Sequence, residues 1–192
     1  FSDGTTQTTA GGAPGLVSGA GTDSIKSSDT LTTTNAAAAG NQSIAIGNGA
    51  SASGTSAIAI GTNTISSNLY GVSIGSGTKN LGQYNVVMGY SASAAGTAER
   101  SVSIGGNSTA NGDDAQAIGW GSLASGRYAV ALGNNAYATA QHSIAIGTTS
   151  TYSANEISIG GIFKYDGSSK ITLQSNVEVS GQLYSPAFAG TI

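Results

Sequence analysis

Apolar and polar positions along this chain follow a short, insistent rhythm. The pattern small–apolar–small–apolar–Gly occurs as SIAIG ending at Gly47, then as variants ending at Gly61, Gly75, Gly89, Gly105, Gly119, Gly133, Gly147 and Gly160. The steps between these glycines are 14, 14, 14, 16, 14, 14, 14 and 13 residues. Within each copy two apolar residues alternate with small ones, as Ile44 and Ile46 do with Ser43 and Ala45. A period of two predicts a short β-strand with both aliphatics on one side. The same pair recurs as Ile58/Ile60, Val72/Ile74, Val86/Met88, Val102/Ile104, Val130/Leu132, Ile144/Ile146 and Ile157/Ile159, and is broken once, by Gln116 beside Ile118.

The Gly column suits a corner that needs a positive φ or a close backbone approach. A second corner is expected seven residues later, at Gly54, Asn68, Gly82, Gly96, Gly112 and Gly126, then Ala140 and Ala154, with Asn as the usual alternative to Gly in such a conformation. Each copy thus reads as strand, corner, strand, corner, and stacking the copies pairs every strand with those above and below. The expected core is a stack of Ile and Val facing small second-strand residues such as Ala50, Ala52, Ala92, Ala94, Ala110, Ala124, Ala136 and Ala138. On that reading the residue between the aliphatics points outward, giving the column Ala45, Ala59, Ser73, Val87, Ser103, Ala117, Ala131, Ala145 and Ser158. Nine small uncharged residues on one face predict an interface where another chain packs closely.

Composition excludes most alternatives. Only 8% of the 192 residues are charged and 30 are Gly, a poor basis for helices. Six basic residues and a net charge of −3 predict no nucleic-acid partner. No apolar run approaches the ~20 residues of a membrane-spanning helix, and the absence of Cys removes disulfides and thiolate metal sites. The chain opens at Phe1 without methionine or a signal sequence, so it reads as a piece of something longer.

The SIAIG…AxAxG repeat resembles the head repeat of YadA-like trimeric autotransporter adhesins over residues 41 to 161. Similar heads occur in bacteriophage tail fibres and bacterial adhesive fibres. The resemblance implies an all-β, left-handed parallel β-roll with 14-residue coils, three chains wrapped side by side, and heads that bind host matrix or cell surfaces. Hexapeptide acyltransferase helices use 18-residue coils, and calcium-binding rolls carry a recurring Asp that this repeat lacks. The family's binding residues vary, so the resemblance assigns none here. The flanks FSDGTTQTTA (Phe1–Ala10) and NVEVSGQLYSPAFAG (Asn176–Gly190) resemble segments of phage-type fibre proteins, and neither a heptad stalk nor a membrane anchor is visible.

Three parts follow: an irregular cap over residues 1–40, with Ser24 to Ser27 as a degenerate opening strand; the roll over 41–161; and a β-rich neck over 162–192. In the neck, Phe163 to Tyr165 and Lys170 to Leu173 flank a turn at Asp166-Gly167-Ser168-Ser169, and Val177 and Val179 suggest a third strand.

Catalysis has little material. His142 is the one histidine and nine acidic residues are dispersed between Asp3 and Glu178, so no enzyme, cofactor or metal is expected. Candidate binding residues lie at the corners instead. Five residues before the Gly column run Tyr70, Tyr84, Arg100, Asp114, Tyr128 and His142, and immediately after it come Tyr90 and Trp120. Such a ladder offers aromatic surface and polar groups to sugars. The 16-residue step adds two residues near Ala98, Glu99 and Arg100, and insertions in solenoids form loops suited to function. Lys79 and Arg127 are expected to serve solubility. The expected function is adhesion or receptor binding by an extracellular homotrimeric fibre, on a bacterial surface or a virion tail, recognising a cell-surface glycan or protein. The alternative is a structural spacer beside a recognition module.

Overall fold

A computed structural model describes residues 15–28, 35–160, 163–165 and 171–173. Phe1–Ala10, the turn at 166–169, the strand expected around Val177 and Val179, and Asn176–Gly190 lie outside the described residues.

Each coil contributes one three-residue strand and one two-residue strand, and like strands stack into two sheets. The long-strand sheet runs in order from Ile44–Ile46 to Ile157–Ile159, every neighbour parallel and in register; Ile44 pairs with Ile58, and Val86 with Val102. The short-strand sheet has nine strands, from Ala37–Ala38 to Ser150–Thr151. Backbone donors and acceptors are therefore satisfied between coils, which is why no coil can form alone. The resulting fold is an all-β parallel solenoid of about nine coils with 14-residue spacing.

The long-strand sheet extends beyond the repeat at both ends. Ile25–Ser28 lies parallel against Ile44–Ile46, and Gly15–Ser18 pairs antiparallel with it. At the other end Phe163–Tyr165 pairs antiparallel with Ile157–Ile159, and Ile171–Leu173 with Phe163–Tyr165, the hairpin that the sequence predicts.

The two faces of the long strands are the reverse of the sequence expectation. Ala45, Ala59, Ser73, Val87, Ser103, Ala117, Ala131, Ala145 and Ser158 are buried inside the roll, and the aliphatics flanking them point outward, partly exposed or exposed. Size decides this, not polarity. Corners of about four residues bring the two sheets together, and the interior between them is filled mainly by Ala, Ser and Thr, with Val87, Asn80, Asn85 and Glu156 as the larger fully buried exceptions. Ala50, Ala52, Ala92, Ala94, Ala110, Ala124, Ala136 and Ala138 fill the facing columns, as expected, but they meet other small residues.

The middle coils replace part of this alanine core with paired polar groups. Ser73 Oγ donates to Thr78 Oγ1 at 2.8 Å, Ser103 and Ser108 share a 2.8 Å hydrogen bond, and Asn80 Nδ2 donates to the Asn85 carbonyl at 3.0 Å.

The first corner behaves as predicted. From Gly47 to Gly133 the column residues Gly47, Gly61, Gly75, Gly89, Gly105, Gly119 and Gly133 hold φ between 125° and 135°, a region closed to other L-residues. The second corner differs. Its glycines have no positive φ; at Gly54, Gly112 and Gly126 an added Cβ would instead run into the carbonyl of the next coil. Gly82 abuts the Ala98 carbonyl in the same way, so Ala98 and not Gly96 occupies this column in the enlarged coil. Positive φ falls two residues later, on the side chains described next.

Candidate functional site: the two corner columns

At the second corner Gln42, Ser56, Tyr70, Tyr84, Arg100, Asp114, Tyr128, His142 and Asn155 all adopt left-handed backbone with φ between 54° and 61°. Each amide from Ser56 to His142 donates to a carbonyl of the preceding coil, as Tyr84 N does to Leu69 O at 3.0 Å and His142 N to Arg127 O at 2.9 Å. A non-Gly residue in this conformation carries a steric cost, which the inter-coil bond offsets. The geometry projects one side chain per coil outward, spaced by the strand separation of about 4.8 Å.

That spacing stacks neighbouring rings. Tyr70 and Tyr84 lie with centroids 5.3 Å apart and planes 16° from parallel; Tyr128 and His142 are 4.9 Å apart at 22°. The Arg127 guanidinium sits 4.6 Å from the Tyr128 ring centroid, so it packs into this ladder and does more than confer solubility. Between the aromatic pairs lies a charged step. Arg100 grips Asp114 through Nε–Oδ1 at 2.8 Å and Nη2–Oδ2 at 3.0 Å, and reaches Glu99 Oε2 through Nη1 at 3.1 Å. The hydrogen bond from Arg100, its charge and that of Arg127 hold the Asp114 carboxyl below the ordinary aspartate range against a smaller opposing effect of burial. Reciprocally, the Arg100 guanidinium is pushed further up by Asp114 first and Glu99 second. The structure thus brings Tyr70, Tyr84, Glu99, Arg100, Tyr128 and His142 onto one edge of the roll.

The two-residue insertion is held from inside by Asn85, which the sequence reading did not single out. Its Nδ2 donates to the Ala98 carbonyl at 2.8 Å and its Oδ1 accepts from the Ser101 amide at 2.8 Å, spanning the enlarged corner. An Asn within a column that is Ala, Ser or Gly at every other position from Ser43 to Ser143, one coil before the break in period, is the signal that points to it.

Tyr90 and Trp120 stand on the opposite edge, at the first corner, 61% and 55% exposed. Tyr152, 71% exposed, was not foreseen as an exposed aromatic. The column expected to form the interface is interior and unavailable to a partner. In its place the outward face carries two columns nine strands tall, Ile44 to Ile157 and Ile46 to Ile159, apolar at every position except Gln116. At the strand spacing this band covers roughly 400 Å², the scale at which an exposed apolar patch marks an interaction surface. Among the described residues no three His, Cys, Asp or Glu gather as a metal-binding group.

Comparison with known proteins gives three results. No curated protein sequence matches. A solved structure, the collagen-binding domain of the Yersinia adhesin YadA, aligns over 74% of this chain and 81% of that one with 26% identity and a TM-score of 0.48. The family model described as the YadA head domain repeat (2 copies) matches residues 34–50, 52–78, 97–122 and 124–150, just over half of the chain. The stretch passed over, 79–96, contains Asn80, Asn85 and the start of the insertion, where this roll departs most from a regular repeat. In-register 14-residue coils and the family match lead to one conclusion: this chain belongs to the YadA head repeat family.

Proposed function

We propose that this chain is part of a homotrimeric extracellular fibre that adheres to a cell surface through side chains at its corners, and that it binds without catalysing a reaction. Membership of an adhesin head family supports the adhesin-type function. The observation that carries the assembly is the outward Ile/Val band. Its two columns are straight, in register and uncharged, so copies of the chain can bury them against one another around a common axis. That arrangement covers the long-strand sheets and leaves both corners near the surface, where the ladder from Tyr70 to His142 repeats on each chain. Three copies on one rigid rod gain avidity from weak individual contacts. Along the second corner Glu99, Arg100 and Asp114 are engaged with one another, which favours recognition over chemistry.

The test is sedimentation of the purified chain together with adhesion to bacterial and animal cells. Trimers that bind a cell type, and lose binding when Tyr70, Tyr84 and Tyr128 are changed to Ser, are the expected result. Well-folded monomers would remove the assembly. Trimers that bind no cell type would make the segment a spacer within a fibre whose recognition lies elsewhere, whether on a bacterium or on a virion tail.

A further inference from the structure

The two corners offer a ligand different surfaces. At the second corner the rings stack on each other, so Tyr84 and Tyr128 have faces occupied by Tyr70 and His142 and present mainly edges and polar atoms. At the first corner no ring partner is found for Trp120 or Tyr90 among the described residues.

The column following each corner glycine reads Tyr90, Gly106, Trp120 and Asn134 over four successive coils. A Cβ on Gly106 would clash with Cε3 and Cζ3 of Trp120 and come within 3.3 Å of Cη2. The six-membered ring of the indole therefore folds back over the glycine of the preceding coil. The ring is thus packed against that backbone, while 55% of the residue stays exposed. Gly106 is what permits this pose, because any side chain there would lift the ring.

Exposed amides lie in the same and the adjoining column. Asn107 and Asn135, in the next column, are exposed and held in left-handed backbone at φ 55° and 50°. Asn135 Nδ2 donates to Asn134 Oδ1 at 2.6 Å, which leaves further donor and acceptor capacity on both side chains. Neither column carries a charged residue from Tyr90 to Asn135. A flat apolar platform bordered by neutral hydrogen-bonding groups matches a ligand with a C–H face and equatorial hydroxyls, and offers no counter-ion to a charged one.

We infer that the first corner around Trp120 is a binding subsite for a neutral hexopyranose, stacked on the free indole face, with its hydroxyls reaching Asn107, Asn134 and Asn135. The inference rests on the adhesive reading above and supplies its ligand class.

Trp120 is the chain's one tryptophan, so its fluorescence reports this site alone. The intact trimer is titrated with methyl β-galactopyranoside, methyl β-glucopyranoside and, as a charged sugar, N-acetylneuraminic acid. The expected result is a saturable emission change at millimolar concentration with at least one neutral glycoside and none with the acid. Gly106→Ala, which keeps the indole but displaces it, weakens binding at least about tenfold, and Trp120→Ala weakens retention on the matching immobilised glycoside to a similar degree. Trimer and circular dichroism are measured for both variants, and Trp120→Phe, retaining a ring, keeps part of the affinity. Absence of a saturable change with either neutral glycoside overturns the inference. So does an indole already shielded from acrylamide, which would place Trp120 against another chain. Cell adhesion that survives Trp120→Ala sinks the sugar subsite and leaves adhesion standing; glycoside binding without cell adhesion does the reverse.

Discussion

Replacing Leu132 by Asp separates the two possible faces of the long strand. Leu132 belongs to the outward column, is 43% exposed, and pairs in register with Ile118 and Ile146. In a single roll an Asp there stays in water and costs little. In a trimer closed over the apolar band it removes about 1–2 kcal/mol of burial and places a carboxylate in a dry interface at several kcal/mol. At about 4 kcal/mol per chain the assembly loses roughly 12 kcal/mol, equivalent to some eight or nine powers of ten in the association constant. The matched control is Ala131→Leu one residue earlier, at a site with no exposure. Overpacking there forces the sheets apart, costs about 1–3 kcal/mol or more, and disrupts the roll itself. Sedimentation velocity over a range of concentrations, with far-ultraviolet circular dichroism, reads both variants. Expected are β-structured monomers for Leu132→Asp and lost or lowered melting for Ala131→Leu. A Leu132→Asp chain that remains trimeric, or an Ala131→Leu chain that folds normally but dissociates, would refute the assignment of faces.

Other changes probe the corners. Gly119→Ala puts a Cβ at φ 134° and against the Gly133 carbonyl; about 3 kcal/mol is expected, a melting point lower by roughly 6–12 °C. Asn85→Ala leaves the Ala98 carbonyl and Ser101 amide unpaired in the interior. It should cost about 2–5 kcal/mol, with hydrogen exchange rising first around 95–101. Asp114, whose carboxyl is held low by Arg100, contributes stability above the ordinary aspartate range and loses it as pH falls through its lowered value. Thermal melts of the parent and Asp114→Asn should therefore differ at neutral pH, converge in acid, and differ less in high salt, because the Arg100–Asp114 pair is partly solvent-exposed.

Repeat length, strand positions and the first corner were legible because each leaves a periodic mark in the sequence: a Gly where φ is near 130°, and alternation where the strand is extended. Orientation was not, because alternation has the same period whichever face is inside. Taking Ile44 and Ile46 as interior follows the common association of large apolar residues with cores. What overrules it is the length of the corners, which leaves little room between the sheets, so that small residues predominate there and Val87, Asn80 and Asn85 are exceptions. Both inner columns being small, Ala45 facing the strand of Ala50 and Ala52, is the sequence signal that could have reversed the assignment. The second corner was misplaced by two residues for a related reason. Positive φ there is carried by Tyr70, Arg100 or His142, residue types that give no hint of left-handed backbone, while its glycines answer to close approach. Side-chain pairing across coils, such as Arg100 with Asp114, becomes readable once the 16-residue step is aligned on Ala98.

A roll with an interior mostly of Ala, Ser and Thr gains little from burying large apolar side chains, since nearly all of those lie outside it. Its stability as a lone chain must rest on strand ladders and tight corners, and the hydrophobic contribution appears when the outward Ile/Val band is covered. In the proposed trimer folding and assembly are linked, and the demands on each position separate. Inner columns are restricted by volume, corner glycines by φ or close approach, and outward strand positions, in the proposed trimer, by the partner chain. The positions at 90 and 120 carry none of these restrictions, and those at 70, 84, 100, 114, 128 and 142 are held to left-handed backbone but not to a side-chain volume, so Tyr, Trp, Arg, Asp and His are found there. A scaffold built this way can vary its corner side chains with only a modest effect on how it folds, because their pairing across coils adds to a stack already held by the strand ladders and the corner glycines.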